Sequence, residues 1–154
     1  MNCQNNQKTI ILVAEDDEDD RLLLSEALLE NDYIDHLYFV EDGVELMDYL
    51  YHQGEYSDAE LSPRPSLIFL DLNMPRKDGR IALQEIKADP NLRQIPVIIL
   101  TTSKAEEDIF KTYDLGVNSF ITKPVTFQSF VEVMRSLKHY WFEVVELPNK
   151  YQKG

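Results

Sequence analysis

Four groups of residues have types and positions suited to handling phosphate. Glu15, Asp16 and Asp17 directly follow the apolar run Thr9 to Ala14, and Asp71 follows Ser66 to Leu70. Thr101 and Thr102 follow Val97 to Leu100, and Thr122, Lys123 and Pro124 follow Ser119 to Ile121. Carboxylate oxygens are the hard ligands that Mg²⁺ prefers. Two carboxylates about 4 Å apart repel by roughly 4 kcal/mol at an effective dielectric of 20, so an acidic cluster calls for a cation. Lys123 supplies one positive charge and Thr101 a hydroxyl. Taken singly, each group has an ordinary reading. The six consecutive acids Glu15 to Asp20 fit a solvated face or a helix N-terminus favoured by the macrodipole. Asp71 with Asn73 and Pro75 fits turn chemistry, and Asp78-Gly79 fits a helix-initiating turn. Thr101 alone would be a strand-ending hydroxyl and Lys123 a surface charge. Glu15 and Asp16 differ from Asp19 and Asp20 because they continue a buried run. Joint placement at successive run ends favours a site.

These groups can meet only if the runs are parallel strands. Five short apolar runs, the four above and His36 to Val40, alternate with apolar residues at helical spacing. The helical sets are Leu22, Leu23, Leu24, Ala27 and Leu28; Val44, Leu46, Met47 and Leu50; Ile81, Leu83 and Ile86; Ile109, Phe110 and Tyr113; and Phe127, Phe130, Val131, Met134 and Leu137, the last with Thr126 as N-cap. Parallel neighbours need crossover connections, and strands covered on both faces read as continuously apolar. The alternation therefore predicts a doubly wound α/β fold, a five-stranded parallel sheet inside a three-layer α/β/α sandwich. In such sheets ligands bind beyond the carboxyl ends of the strands, where the strand order reverses. The segment Gln53 to Pro65 is longer than the usual connection and reads as a surface loop.

Composition bounds the alternatives. The 154 residues suit one domain, and 15 Lys and Arg against 28 Asp and Glu give a net charge of −13, which argues against a nucleic-acid footprint. Cys3, the single cysteine, has no partner for an intramolecular disulfide. His36, His52 and His139 lack metal-ligand spacing, which argues against zinc. No signal segment opens the chain and no apolar run approaches the roughly 20 residues needed to span a bilayer, so a cytoplasmic protein without membrane contact is expected.

The motifs ILVAEDD, LDLNMPRKDG, VIILTTS and SFITKP, in this order over roughly Lys8 to Leu137, resemble those of the receiver domain of two-component response regulators. The resemblance implies a flavodoxin-like fold with Asp71 as phosphoacceptor. It implies that Asp16, Asp71 and the backbone carbonyl of Asn73 touch Mg²⁺, with Glu15 acting through water. A register shifted by one would make Asp16 and Asp17 the pair, and the placement of Arg21 favours Glu15 and Asp16. Thr101 resembles the switch hydroxyl, Phe120 the switch aromatic and Lys123 the invariant ammonium, while Lys123-Pro124 resembles the peptide that is cis in receivers. Phosphate on Asp71 would draw Thr101 inward and let Phe120 turn, remodelling the face of the fourth helix, fifth strand and fifth helix. Phe120 stands where many receivers have Tyr, which removes a hydroxyl from that face. Thr102 is bulkier than the Ala or Gly often found there, and Ser103 and Asn73 occupy positions that influence water access to the aspartyl phosphate.

The partner implied is a sensor histidine kinase or histidine phosphotransfer protein, and the protein is not expected to turn over a substrate of its own. A flexible leader over 1–7, a receiver over 8–139 and an aromatic extension over 140–154 are expected, with no separate output domain. Phe130, Met134, Leu137, Trp141 and Val144 continue an apolar stripe into that extension. Packing on its own domain and a dimer interface through the fourth-helix to fifth-helix face explain it equally. The long loop and the aromatic extension together resemble single-domain regulators associated with bacterial phytochrome kinases. Two rivals are weighed. An aspartate-nucleophile phosphohydrolase resembles Asp-x-Asp after the first strand, whereas Asp71-Leu72-Asn73 follows the third. A phosphate-independent interaction module would have no need for Glu15, Asp16, Asp71, Thr101 and Lys123. No Gly-x-Gly-x-x-Gly opens the first helix, as a dinucleotide-binding enzyme would require.

Overall fold

The computed structural model describes residues 10–29, 36–72, 74, 76–101, 119–122 and 127–137, with the backbone alone at several positions of the last strands and helix. Five strands, β1 (Ile10–Ala14), β2 (His36–Val40), β3 (Leu67–Asp71), β4 (Val97–Thr101) and β5 (Ser119–Thr122), form one parallel sheet in the order β2-β1-β3-β4-β5. Helices α1 (Glu18–Leu29), α2 (Gly43–Tyr51) and α3 (Gly79–Ala88) follow β1, β2 and β3, and a carboxyl-terminal helix spans Phe127–Leu137. The expected fourth helix around Ile109 to Tyr113, the Thr126 cap and residues 1–9 and 138–154 lie outside the described residues.

Strand alternation divides the core in two. Leu12, Ala14, Ile68, Leu70, Val97 and Ile99 face Leu46, Leu50, Leu83 and Ile86 of α2 and α3. Ile11, Val13, Leu67, Phe69, Ile98 and Leu100 face Leu24, Ala27 and Leu28 of α1 and Val131 of the carboxyl-terminal helix. Burial of both faces explains why these strands read as unbroken apolar runs. Each fully buried Leu, Ile or Val contributes roughly 1.5–3 kcal/mol relative to exposure, so these two layers fix the register of the strands and thereby their ends.

The helix starts are local decisions. Asp17 begins α1 by accepting the N–H groups of Asp19 and Asp20 on its Oδ1 (2.9 and 3.0 Å), with Glu18, Asp19 and Asp20 in the first turn. Asp42 caps α2 through the Glu45 N–H, and Asp78 caps α3 through the Arg80 N–H. The segment Gln53 to Pro65 has structure of its own. It contains a 3₁₀ turn at Gly54–Tyr56 and is tied down where the Tyr49 hydroxyl donates to the Pro63 carbonyl (2.8 Å) and His52 Nε2 to the Ser62 carbonyl (2.8 Å). Among the described residues no helix is long and apolar enough to cross a membrane.

Candidate functional site

Strand order reverses between β1 and β3, which lie side by side although β2 intervenes in sequence. Ala14 pairs with Leu70, so the next residue on each strand, Glu15 beside Asp71, stands at the crevice where doubly wound sheets bind ligands. Alternation continues the Leu67–Phe69 row to Asp71, on the α1 side of the sheet. Glu15 is 1% exposed and Asp71 4%, whereas Asp16 is open to solvent. One carboxylate oxygen from each of the three lies within 4.8 Å of the others. Two full charges at that separation repel by about 3.5 kcal/mol at an effective dielectric of about 20. The donor set, three carboxylates of which one reaches solvent, is the kind that holds a hard divalent cation with water completing its shell.

Asp17 is not part of this cluster. Its side chain is committed to the α1 N-terminus, while its own N–H donates to Glu15 Oε2 at 3.1 Å. The geometry thus groups Glu15 and Asp16 with Asp71 and makes Asp17 a cap. Arg21, which stands on α1, pairs with Glu41 after β2 at 3.4 Å.

Thr101 ends β4 and pairs with Thr122 of β5, while Asp71 pairs with Leu100. The backbone thereby brings Thr101 and the end of β5 to the same edge as Asp71, with Phe120 paired to Ile99 inside the strand. Asn73, Thr102, Ser103 and the Lys123-Pro124 peptide lie outside the described residues.

The loop leaving Asp71 is held at three points, two of which the sequence reading did not single out. Gly79 N–H donates to the Leu72 carbonyl (3.0 Å), and a Cβ at Gly79 would stand 2.4 Å from the Asp71 carbonyl oxygen, so α3 begins directly against the end of β3. Gly43 N–H donates to the Lys77 carbonyl (3.1 Å). Arg76, with φ 61 in the left-handed region, forks onto Asp42 through Nε to Oδ2 (2.8 Å) and Nη2 to Oδ1 (3.1 Å). Burial opposes the charge on Asp42, but the Arg76 fork and the N–H groups of Glu45 and Val44 outweigh it and hold the carboxyl below its ordinary range. The legible signal was the Asp42-x-x-Glu45 spacing, a helix-capping pattern; the pairing to Arg76 has no local signature.

A cavity of about 400 Å³ lies elsewhere, at the amino edge of β3 and β4, lined by residues including Tyr49, His52, Arg64, Leu92 and Ile95. None of its lining residues is acidic, and the cluster of Glu15, Asp16 and Asp71 lies at the opposite edge of the sheet.

The comparisons with known proteins converge on this architecture. The chain is 43% identical over 149 residues to Response regulator Rcp1 of Synechocystis sp., covering 96% of this chain and 99% of Rcp1. The crystal structure of the phosphorylated cyanobacterial phytochrome response regulator RcpA matches with a TM-score of 0.84 at 42% identity, covering 92% of this chain and 99% of RcpA. The crystal structure of the Mn²⁺-bound form of Rcp1 matches with a TM-score of 0.80 at 44% identity, covering 91% of this chain and 99% of that one. Residues 11–135 match the response regulator receiver domain family. With the 2-1-3-4-5 sheet and an acidic cluster at its switch point, this match places the chain in that family: it is a response regulator receiver, a signalling protein of the two-component type.

Proposed function

We propose that Asp71 accepts a phosphoryl group from a phosphohistidine on a sensor histidine kinase or a histidine phosphotransfer protein, in a reaction that needs Mg²⁺. The observation that carries this reading is the buried Asp71 carboxylate at the end of β3, with oxygens of Glu15 and Asp16 within 4.8 Å. Glu15, Asp16, Asp71 and the backbone carbonyl of Asn73 would hold the ion, Glu15 through water. When bound, Mg²⁺ offsets the charge on the equatorial phosphoryl oxygens.

The remaining work belongs to the chain. A carboxylate needs no deprotonation near pH 7, so catalysis is in-line positioning and charge neutralisation. One Asp71 oxygen bonds to phosphorus as the phosphorus–nitrogen bond to histidine breaks and its electron pair leaves with the imidazole. The Lys123 ammonium and the Thr101 hydroxyl donate to phosphoryl oxygens. Movement of Thr101 toward the phosphate vacates space into which Phe120 turns, and the face around the segment before β5, β5 itself and the carboxyl-terminal helix changes shape for a partner. The protein promotes only its own phosphorylation and dephosphorylation.

A phytochrome-type kinase is the proposed donor, supported by the 42% identity to a phytochrome response regulator. The receiver is taken as 8–139 and the aromatic extension as 140–154, and the extension with the adjoining face is proposed to join two copies in a homodimer.

The deciding experiment is incubation with acetyl phosphate and Mg²⁺ followed by intact mass. Wild type is expected to gain one phosphoryl group, and Asp71→Asn, or wild type in EDTA, none. A wild type that never gains the group would indicate a phosphate-independent module, and sustained turnover of diverse phosphomonoesters would indicate a hydrolase.

A further inference from the structure

The Asp42–Arg76 pair joins two helix-leading segments that have no contact in sequence. Asp42 is buried and already serves α2, since its Oδ1 accepts the Glu45 N–H at 2.9 Å. The same carboxylate receives both arms of the Arg76 fork. Arg76 lies on the short loop that leaves Asp71 for α3, and it is one of only two non-glycine residues at positive φ among those described. That conformation is disfavoured for a side chain with a Cβ, so it persists where surrounding contacts over-determine it. The contacts that do so here are the fork and, one residue on, the Lys77 carbonyl accepting the Gly43 N–H. The loop is therefore pinned to the α2 N-terminus on one side and closed at its base by Gly79 N–H to the Leu72 carbonyl. The strand residue from which it leaves, Asp71, is one of the three carboxylates whose oxygens converge.

We propose that Arg76, anchored by Asp42, is a positioning residue for the metal site: the fork holds the loop leaving Asp71 in one course and so sets the cation affinity of the Glu15, Asp16 and Asp71 cluster. The inference rests on the reading of that cluster as a metal site. Neither residue touches the cation. The pair acts at a distance, through the backbone between Arg76 and Asp71, by restricting where the Asp71 oxygens stand.

The test uses Mn²⁺ as probe, with free Mn²⁺ measured by electron paramagnetic resonance in titrations of the full chain, and urea unfolding run in parallel. Arg76→Ala and Asp42→Ser, the latter keeping a capping oxygen, are each expected to raise the Mn²⁺ dissociation constant about tenfold, the lower end for lost outer-group support. The double variant should be no weaker than the worse single one, because both changes break the same link. Arg76→Gly relieves the backbone strain, so it is expected to be more stable to urea than Arg76→Ala while binding Mn²⁺ as weakly. Wild-type dissociation constants in the folded single variants, or losses in the double variant equal to the product of the two, would overturn the proposal. A metal affinity that recovers in Arg76→Gly along with its stability would overturn it as well, reducing the fork to a stabilising contact. Wild type that binds no Mn²⁺ would instead overturn the metal-site reading itself, and the positioning role with it.

Discussion

At Gly43 the backbone leaves no room for a side chain. A Cβ there would stand 2.2 Å from the Lys77 carbonyl oxygen and 2.8 Å from the carbonyl carbon. Because those atoms are backbone and the same oxygen accepts the Gly43 N–H, no rotamer change relieves the contact. Gly43→Ala is expected to lower the unfolding free energy by about 2 kcal/mol or more. Gly54 supplies the contrast. It has φ +58, but its nearest Cβ neighbour would be Asp48 Oδ2 at 3.7 Å, so Gly54→Ala should cost only left-handed strain, about 1 kcal/mol. Urea unfolding of the two variants checks the ordering, and a Gly43→Ala protein as stable as Gly54→Ala would contradict the close approach of α2 to the loop.

Helix α2 is anchored at both ends, which makes it sensitive to acid at one of them. At its start Asp42 has a folded-state pKa below the ordinary 3.8; burial pushes it up, but the Arg76 hydrogen bonds and charge and the two backbone N–H groups pull it down further. A depressed carboxyl contributes stability that is present above its unfolded pKa, about 4, and is lost as pH falls through the lower folded value. Stability measured by urea at successive pH values from roughly 5 down to 2 should therefore fall less steeply in Asp42→Asn than in wild type. Identical slopes would mean that the cap and fork do not hold the charged form. At the other end His52 closes the helix in a left-handed conformation with φ 58, and Tyr49 reaches past it to the Pro63 carbonyl. Burial pushes the Tyr49 phenol well up, so it stays a neutral donor across the working pH range. These ties hold the end of the long segment before β3 against the end of α2.

For the molecule as a whole, the −13 charge opposes self-association, because two copies brought together repel within about a Debye length. A dimer through an apolar face must overcome that repulsion, so the proposed homodimer should tighten as salt rises toward physiological strength. Sedimentation equilibrium at low and moderate salt, with Trp141→Ala as the disrupting variant, is expected to show salt-strengthened association lost in the variant. A monomer at high concentration under both conditions, with and without phosphorylation, would remove the dimer from the proposal. Within the same charge, Glu15, Asp16 and Asp71 stand apart from the rest. Among the described residues most of the other acids are dispersed on the surface, caps or ion pairs, such as Asp17 on α1, Asp78 on α3 and Glu85 with Lys77 at 2.7 Å.

What the sequence determined alone was local. Unbroken apolar runs located the five strands to within a residue or two, since burial on both faces demands such runs wherever the strand pairs. The residue after each run was then a candidate for the ligand edge, and Asp71, Glu15 and Asp16 are such residues, with oxygens that converge. Tertiary structure decided the rest. Only the sheet order sets β1 against β3, bringing Glu15 to Asp71 across 56 positions of chain. For the register of the acidic run the sequence favoured Glu15 and Asp16 only through the placement of Arg21; in the fold the first turn of α1 takes Asp17 as its cap, while oxygens of Glu15 and Asp16 converge with Asp71. The Asp42–Arg76 fork, 34 residues apart, had no sequence signal for the same reason. Periodicity reports which side of an element is buried, while the meeting of distant side chains depends on how whole elements pack.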